Sequence, residues 1–327
     1  MLLGAGLGTR LRPITYDLPK PMMPVLDRPI MSHILKLLAR HGFGDVIANL
    51  YHLPDMIRDH FGDGSDHGLS LTYSMEEELL GTAGGVRKVR DFFGDQTFLV
   101  ISGDALTDID LGSLWRRHHE AGGIGTLSLK RVPDPSQLGV VMLAPDGRVQ
   151  GFQEKPDPAE ALSDLANCGM YVFEPEIFDY FPDRDFVDWA TDVFPALLEG
   201  DVGLYGHEIS EYWNDIGSLS EFRQGNFDAL AGDVQVEFDA EQVEDGLWKA
   251  DSAVLEEALT VEPPVYLGAG CRVGAETRLR GPVVLGADSR VGASSSLGDV
   301  VVLPDTEVPP ATMIVGGIAG AKPAAKR

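Results

Sequence analysis

The 327-residue sequence predicts an α/β domain with a Rossmann-like, mixed but mostly parallel sheet, followed by a short left-handed parallel β-helix. Two observations predict this fold: strand and helix patterns alternate up to about residue 225, and aliphatic residues recur every six positions in the last quarter of the chain. A third observation, the apolar content of 44%, is ordinary for a chain that buries a packed core.

The first 225 residues alternate short apolar runs with amphipathic stretches. Residues 45–50, 69–74 and 98–102 have the length and composition of strands. Residues 30–41 place apolar side chains at helical spacing, and the following glycine favours a helix end; "LGSLWRRHHEAGG" has the same character. Strands that alternate with helices predict a mostly parallel sheet, so we assign residues 1–225 to one domain.

From residue 226 onwards, the sequence differs in composition and periodicity from the part before it. Residues 226–253 are acidic and lack a clear period, which predicts a connector. The six-residue period that defines the segment 254–316 is carried by Leu255, Val261, Leu267, Val273, Leu279, Leu285, Val291, Leu297 and Leu303. An inward aliphatic residue followed by a small one at this period is typical of a left-handed β-helix, in which each hexad forms one face of a triangular coil. We expect the tail, residues 317–327, to be flexible.

Charge and cysteine content limit the class of protein. The net charge of −25 argues against a nucleic-acid binder, which needs a basic footprint. Phosphate ligands remain compatible, since a few placed cations can hold them. The sequence shows no apolar run of membrane-spanning length and no signal peptide, and its two cysteines are distant from each other. We therefore predict a cytoplasmic protein without membrane or nucleic-acid partners.

A glycine-rich stretch, "GAGLGTRLRPITYDLPKP", begins at Gly4. A Walker A loop is absent, because no Gly-Lys-Ser/Thr follows at the required spacing. A dinucleotide fingerprint is excluded, because Thr9 replaces its last glycine and Pro13 prevents a long helix. What remains is a turn whose backbone N–H groups can surround an anion, with Arg10 and Lys20 as cationic donors. It predicts a phosphate-binding loop; the alternative is a tight turn with surface arginines.

Acidic residues lie at predicted strand ends. Asp104 follows the buried strand of "FLVISGD", and Asp215 precedes a glycine in "YWNDIG". Ligands of open α/β sheets bind at the carboxyl edge, and two carboxylates together with phosphate oxygens suit Mg²⁺. Each aspartate alone could equally cap a turn. Glu154 and Lys155 in "FQEKP" are, on their own, an ordinary surface pair.

Taken together, these stretches resemble the sugar-1-phosphate nucleotidyltransferases, also called nucleotide-sugar pyrophosphorylases. The resemblance covers nearly the whole chain. Its elements occur in family order: "GAGLGTRLRP", "PKPM", "LGTAGG", "SGD", "LGVV", "EKP", "NCGMYVF" and "WNDIG", then the six-residue repeat. No single element is decisive, but the ordered set is specific, and it is most similar to the mannose-1-phosphate guanylyltransferase branch.

The resemblance implies a role for each matching position. The implied nucleotide-binding residues are Gly4, Ala5, Gly6, Gly8, Thr9, Arg10, Gly81, Thr82, Ala83 and Gly103. The implied sugar-phosphate-binding residues are Gly139, Glu154, Lys155, Asn167 and Gly169. Arg10 would contact the pyrophosphate leaving group and Lys20 the reacting phosphates, and Asp104 and Asp215 would hold Mg²⁺. All four would be catalytic residues. The family usually has a second glycine where this chain has Ala5.

The implied reaction is nucleotidyl transfer to a sugar-1-phosphate, with release of pyrophosphate. The sugar phosphate is already an anion at neutral pH, so positioning and charge neutralisation replace a strong general base. For GTP, the exocyclic amine of guanine needs an acceptor, and a backbone carbonyl or Glu77 near the base loop could serve. GTP with mannose-1-phosphate is the predicted pair, and glucose-1-phosphate with thymidylyl, uridylyl or adenylyl transfer is the alternative.

Two other classes remain as alternatives. A non-catalytic regulatory subunit would typically lose the metal aspartate or the loop arginine, and this chain keeps Arg10 and Asp104. Acyl transfer on the β-helix usually needs a histidine base, and no histidine follows His207.

Two further expectations concern the chain ends. The apolar run 300–303 predicts self-association through the β-helix, and hence a homo-oligomer. Only three residues precede the glycine loop, fewer than a core strand normally has, so we expect the natural start to lie a few codons upstream of Met1. Intact-mass measurement of the native protein tests this expectation.

Overall fold

The computed structural model describes residues 1–320, which form two compact units. The sheet unit comprises Met1–Gly6, Leu35–Asp104 and Ile109–Trp213; the coil unit comprises Leu7–Ile34, Ala105–Asp108 and the chain from Asn214 onwards. The predicted domain boundaries at residues 225, 253 and 316 stay predictions. Of the predicted flexible tail, residues 321–327 lie outside the described residues.

The described elements follow one another in the order of their numbers. The helices are α1 (Ile30–Arg40), α2 (Pro54–Phe61), α3 (Gly81–Lys88), α4 (Arg90–Phe93), α5 (Leu111–Ala121), α6 (Phe194–Glu199) and α7 (Leu219–Ala231). The strands up to the end of the sheet are β1 (Leu2–Leu3), β2 (Pro24–Val25), β3 (Arg28–Pro29), β4 (Asp45–Leu50), β5 (Ser70–Met75), β6 (Phe98–Ser102), β7 (Leu106–Thr107), β8 (Gly125–Arg131), β9 (Gly139–Leu143), β10 (Val149–Glu154), β11 (Leu165–Phe173), β12 (Leu204–Glu208) and β13 (Trp213–Asn214). The later strands are β14 (Glu241–Glu244), β15 (Leu247–Lys249), β16 (Val254–Leu255), β17 (Thr260–Glu262), β18 (Val265–Leu267), β19 (Arg272–Val273), β20 (Arg278–Leu285), β21 (Arg290–Val291), β22 (Ser296–Val302), β23 (Glu307–Val308), β24 (Met313–Val315) and β25 (Ile318–Ala319).

The sheet unit contains one mixed sheet in the order β10-β9-β11-β6-β1-β4-β5, with β8 between β11 and β12. Strands β6, β1, β4 and β5 are parallel, whereas β11 runs antiparallel to β6 and β8. The predicted strands and the helix α1 are confirmed to within a residue at most ends. Strand β4 is buried on both faces after its first residue, as is usual for a parallel strand covered by helices. The predicted α/β class is therefore confirmed.

The coil unit contains the predicted β-helix. Equivalent strands of successive coils pair in parallel, and Leu267 faces Leu285, eighteen residues later. The interior holds the aliphatic residues of the hexads, with Cys271 among them. Glycine after the inward aliphatic is required by the next coil: a Cβ on Gly274 would lie 2.6 Å from the Ala293 nitrogen. The six-residue period thus reflects close stacking of one backbone on another.

One coil departs from the strict period of six. Leu279 pairs with Leu297, eighteen residues later, but Leu285 pairs with Val302, which is only seventeen residues later. Val302 is fully buried in the interior, and Leu303 is displaced from the series. The prediction that Leu303 continues the inward row is therefore wrong, because the step from Leu297 to the next inward residue is five.

The apolar run 300–303 is not a free surface. All four side chains are buried within the chain, so the predicted role of this run in self-association lacks the exposure it needs. The exposed aliphatic residues of the last coil are Met313 and Val315, which are 76% and 77% exposed. Self-association through the β-helix remains a prediction, tested by light scattering at micromolar concentration, and Met313 and Val315 are the side chains to replace. None of the helices in residues 1–320 combines the length and the apolar character needed to cross a bilayer.

The turn between β2 and β3 is tied to the segment near residue 239 inside the coil unit. The Asp239 backbone N–H donates to Asp27 Oδ2 at 2.7 Å, and Arg28 Nη2 lies 2.7 Å from Asp239 Oδ1. Desolvation raises the pKa of Asp27, and this effect exceeds the opposing effects of the Asp239 N–H, the Tyr266 hydroxyl and the Arg28 charge. Ionised Asp27 therefore costs the folded state some stability.

Replacing Asp27 with asparagine is expected to increase the free energy of unfolding at pH 7, because the amide oxygen still accepts from Asp239 without a desolvated charge. The pKa of Asp27 is higher in the folded than in the unfolded chain. The wild-type protein therefore loses stability as the pH rises from the unfolded-state pKa to the folded-state pKa of this carboxyl group. The gain should be largest at neutral pH and shrink towards the unfolded-state pKa of about 4. Urea unfolding between these pH values measures it, and a gain independent of pH would contradict the assignment.

Candidate active site

Four parallel strands of the sheet unit end at a common edge. The carboxyl ends of β1, β4, β5 and β6 lie together, and the chain continues from β6 through Gly103 to Asp104. The Gly103 N–H donates to Leu3 O at 2.9 Å, which extends the pairing of β1 and β6 to the residue before Asp104. A Cβ on Gly103 would lie 2.2 Å from Leu2 Cδ2, so only glycine permits this approach. Asp104 therefore stands at the edge where ligands of such sheets bind.

A cavity of about 240 Å³ opens at this edge. It is smaller than the ~300–1,000 Å³ pockets that hold whole drug-sized ligands, so it suits only part of a larger ligand. The predicted site residues in its lining are Ala5, Gly6, Gly81, Thr82 and Asp104. The lining residues not predicted from the sequence are Leu3, Asn49, Glu76, Leu79, Ser102 and Phe186.

A series of buried hydrogen bonds connects Gly4 of the glycine-rich loop to Glu76 in the cavity wall. The Gly4 N–H donates to Asn49 Oδ1 at 3.0 Å, and Asn49 Nδ2 donates to Glu76 Oε1 at 2.7 Å. The Leu80 N–H donates to Glu76 Oε2 at 3.1 Å. The side chains of Asn49 and Glu76 are almost fully buried. Asn49 can link Gly4 to Glu76 because its amide accepts a hydrogen bond through Oδ1 and donates one through Nδ2. The arrangement fixes the Glu76 carboxylate at the cavity wall.

Glu77, the predicted base-contacting residue, lies outside this cavity. Its side chain is exposed and borders a different surface hollow, together with Glu78 and Lys88. The reason is the alternation at the end of β5, where Ser74 is buried, Met75 exposed and Glu76 buried, so that Glu77 points the opposite way. The apolar alternation in the sequence runs through Leu71, Tyr73 and Met75 and would have placed Met75 inside and Glu76 outside, so the sequence does not mark Glu76. No signal in the sequence marks Asn49 either.

The glycines at the start of α3 permit three close approaches. A Cβ on Gly81 would lie 2.4 Å from the Val187 carbonyl oxygen, and one on Gly84 would lie 2.8 Å from that of Asp185. A Cβ on Gly85 would lie 2.7 Å from both Asn49 Nδ2 and Glu76 Oε1. Ala83, also predicted, is buried and donates its N–H to Val187 O at 2.9 Å. The glycines of the "GTAGG" stretch therefore let α3 pack closely against the segment of Asp185 and Val187 and against the side chains of Asn49 and Glu76.

Replacing Gly81 with alanine is expected to lower the free energy of unfolding by about 2–5 kcal/mol, because a positive φ of 80° and a carbonyl clash act together. Gly122 is the matched control: it has a φ of 63°, and nothing lies within 4 Å of its Cβ position. Its alanine variant should lose only about 1 kcal/mol from backbone strain. Urea unfolding measures both, and equal losses would show that the Val187 contact does not matter.

Three of the predicted sugar-phosphate residues lie together on the hairpin of β9 and β10. Gly139 pairs with Glu154, and a Cβ on Gly139 would lie 3.0 Å from Glu154 Oε2. The Lys155 Nζ lies 2.8 Å from Glu154 Oε1, and the Lys155 backbone has a positive φ of 44°. Strain of this kind at a charged residue clusters at functional sites. Both side chains of the pair are about half exposed, and neither lines the 240 Å³ cavity.

The other two predicted residues, Asn167 and Gly169, lie in an irregularity of β11. Asn167 Nδ2 donates to the Tyr171 hydroxyl at 2.9 Å, and the Gly169 N–H donates to Asn167 Oδ1 at 3.1 Å. Gly169 has a φ of 71°, and a Cβ there would lie 2.6 Å from Ser102 Oγ. Ser102 itself lines the cavity, so this bulge comes close to the cavity wall. Burial raises the pKa of the Cys168 thiol, so it is protonated and inert at neutral pH.

The coil unit carries the remaining predicted residues. Gly8, in a left-handed conformation with a φ of 58°, precedes the short 3₁₀ helix Thr9–Leu11. Arg10 Nη2 lies 3.6 Å from Asp215 Oδ2, and the Arg10 side chain is 53% exposed. Lys20 Nζ donates to the Asp215 carbonyl oxygen at 2.7 Å, and Lys20 is buried. Arg10, Lys20 and Asp215 thus form one charged group, with Thr9 exposed beside it.

The donor chemistry of the two predicted metal ligands fits Mg²⁺. Within residues 1–320, no three His, Cys, Asp or Glu side chains converge to hold a metal by themselves. Asp215 Oδ1 accepts from the Gly217 N–H at 3.1 Å, which fixes this carboxylate, and Asp104 Oδ2 lies 4.0 Å from where a Cβ on Gly6 would be. Mg²⁺ commonly takes one or two carboxylates and completes its shell with phosphate oxygens and water. A closed zinc-type site does not fit these residues.

Comparison with known proteins gives three kinds of match. A protein-family model described as nucleotidyl transferase matches residues 1–232. A UTP–glucose-1-phosphate uridylyltransferase of Synechocystis sp. is 37% identical over 296 residues, covering 86% of this chain and 76% of that protein. A mannose-1-phosphate guanylyltransferase of Mycobacterium tuberculosis is 36% identical over 287 residues, covering 86% and 78%.

Solved structures share the fold. A crystal structure from Bacillus anthracis, of a protein assigned as a glucose-1-phosphate thymidylyltransferase, matches with a TM-score of 0.64 and 26% identity, over 72% of this chain and 96% of that one. The crystal structure of HddC from Yersinia pseudotuberculosis matches with a TM-score of 0.61 at 23% identity, over 69% and 96%.

Proposed function

The chain belongs to the nucleotidyl transferase family and carries out sugar-1-phosphate nucleotidyl transfer, and from this premise we propose that GTP and mannose-1-phosphate are its substrates. The products are then GDP-mannose and pyrophosphate. The observation that carries the choice of GTP is the Glu76 carboxylate in the wall of the 240 Å³ cavity. Relatives with guanylyl and with uridylyl activity are about equally similar, so similarity alone does not favour either nucleotide.

The Glu76 carboxylate is complementary to guanine. The pairing edge of guanine presents two neighbouring N–H donors, and a carboxylate can accept from both in parallel. Uracil and thymine present one N–H between two carbonyl oxygens, and those oxygens would be repelled by the carboxylate. The two internal bonds that Glu76 accepts leave lone pairs free on both of its oxygens. This chemistry supports guanine over a pyrimidine in the cavity.

The transfer itself needs positioned charges rather than a nucleophilic side chain. A phosphate oxygen of the sugar phosphate forms a bond to the α-phosphorus of GTP, and the bond from that phosphorus to the bridging oxygen of pyrophosphate breaks. We assign Arg10 and Lys20 to the triphosphate and Lys155 to the sugar phosphate, with Glu154 on sugar hydroxyls. Mg²⁺ bound by Asp104 and Asp215 would offset the negative charge of the reacting phosphates. These assignments rest on the sequence resemblance and on the side-chain chemistry described above.

The proposal is tested by measuring pyrophosphate release with Mg²⁺, each of ATP, CTP, GTP, UTP and dTTP, and either mannose-1-phosphate or glucose-1-phosphate. Release confined to GTP with mannose-1-phosphate supports it. Release with UTP or dTTP and glucose-1-phosphate would overturn the substrate pair and keep the family reaction. The absence of pyrophosphate release in all ten combinations, with nucleotide-sugar binding retained, would favour the regulatory-subunit alternative.

A further inference from the structure

An aromatic side chain stands exposed at the rim of the same cavity. Phe186 lines the cavity, and its side chain is 56% exposed, whereas the next residue, Val187, is fully buried. A single exposed apolar side chain is ordinary, but an exposed one that joins other apolar side chains in a cavity lining is typical of a ligand-binding groove. The remaining apolar side chains of the lining are those of Leu3, Ala5 and Leu79, so the cavity combines apolar walls with the Glu76 carboxylate.

The backbone next to Phe186 is hydrogen-bonded to α3 and to the residue before it. On the α3 side, the Val187 N–H donates to Leu80 O at 2.8 Å, and the Val187 carbonyl accepts from Ala83 and Gly84 at 2.9 and 3.0 Å. These bonds require the missing Cβ atoms of Gly81 and Gly84 described above. Phe186 is therefore exposed on a segment whose backbone is fixed, so its exposure is not that of a loose loop.

Hydrogen bonds of two α3 side chains, Thr82 and Arg87, add to this fixation. Thr82 Oγ1 donates to Asp188 Oδ2 at 2.7 Å and accepts from the Trp189 N–H at 3.1 Å. Arg87 Nη1 donates to the Pro182 carbonyl at 2.7 Å. Directly after Asp188, the chain forms a π-helical turn, Trp189–Val193, a rare element that is frequent at functional sites. Phe186 thus lines the cavity from a backbone segment that several hydrogen bonds hold in position.

We propose that Phe186 is the platform on which the nucleobase stacks, so that the base lies on the Phe186 ring with its polar edge at Glu76. The proposal rests on the proposed function in one respect, because it needs a nucleoside triphosphate in this cavity. Stacking on an aromatic ring tolerates any base, since every base has a π face. Phe186 therefore supplies affinity for the base, whereas Glu76 selects among bases.

The test compares Phe186→Ala with wild type in the full-length protein, with the nucleoside triphosphate and sugar phosphate that give the fastest pyrophosphate release. We expect KM for the nucleotide to rise about 10- to 100-fold, while kcat and KM for the sugar phosphate stay nearly unchanged. Phe186→Tyr should restore the low KM. Phe92→Ala is the matched control, because Phe92 is also exposed, at 40%, and lines a different hollow.

An abasic probe separates stacking from a general structural effect. Ribose 5-triphosphate, which lacks a base, should inhibit wild type and Phe186→Ala equally. An unchanged nucleotide KM, or an equal loss of affinity for ribose 5-triphosphate, would overturn the proposal and leave the family reaction intact. If wild type releases no pyrophosphate, calorimetric binding of the five nucleotides decides: weaker binding by Phe186→Ala alone supports stacking without transfer, and no binding by wild type overturns both proposals.

Discussion

Replacing Asp104 with asparagine is expected to lower kcat for pyrophosphate release by about 10²–10³-fold, the usual loss when one preorganised electrostatic group is removed from a phosphate-transfer or acyl-transfer site. Asp104 stands at the carboxyl edge of β6, held there by the Gly103 N–H bond to Leu3 O, and beside the glycine loop. Asparagine keeps the shape of the side chain and removes its charge. We therefore also expect the Mg²⁺ concentration for half-maximal rate to rise.

Asp95→Asn is the matched control for this variant. Asp95 is exposed and precedes β6, so it lies at the opposite end of the same strand. Its substitution should leave both kcat and the Mg²⁺ dependence unchanged. A thermal midpoint close to wild type for Asp104→Asn separates lost catalysis from lost folding. Full activity of the Asp104 variant at low Mg²⁺ would remove this residue from the site.

Replacing Glu76 with glutamine is expected to lower the ratio of kcat/KM for GTP to that for UTP by about 100-fold. Glutamine offers guanine one acceptor and one donor, so one N–H of the base meets another N–H, and a charge-assisted bond worth about 1.5–3 kcal/mol is lost. Uracil gains from the same change, because the new amide donor can face one of its carbonyl oxygens. The ratio is the quantity to measure, since loosening of the cavity would affect both nucleotides.

Glu77→Gln tests the assignment made from the sequence alone. It removes the same charge one residue further on, outside the cavity, and should leave the ratio unchanged. A fall in the ratio with Glu77→Gln and not with Glu76→Gln would reverse the assignment. Wild type that prefers UTP would instead contradict the choice of guanine, and the effect of Glu76→Gln would then show whether this carboxylate contacts a base at all.

The fold could be predicted from the sequence wherever a local period was present. The hexads from Leu267 to Leu297 have a strict period because each coil stacks directly on the next, and the structure follows it. The five-residue step to Val302 could not be predicted, because Val300 to Leu303 are all aliphatic and any of them could have faced inward. Burial of the whole run became visible only with the chain folded.

The site residues assigned from the sequence stay predictions, although the structure brings some of them together. Asp104, Gly81 and Thr82 line one cavity, whereas Gly84 borders the separate hollow that Glu77 lines. Asn49 and Phe186 were missed for different reasons. Asn49 lies within a strand, and its role depends on partners 45 and 27 residues away. Phe186 follows a stretch without a clear period, and its proposed role rests on its exposure at the cavity, which a sequence does not display.

The five-residue step in the β-helix restricts how the coil could be lengthened. A duplicated block of eighteen residues placed before Leu297 would stack in frame, because every pair up to Leu279 and Leu297 has that spacing. A block copied across the step would be seventeen residues long, and its inward residues would stack as they do now, because Val291 pairs with Val308 and Leu297 with Ile314 at that spacing. Extension of this solenoid by gene duplication would therefore keep the faces aligned only if the length of the copied block, eighteen or seventeen residues, matches the coil from which it is copied.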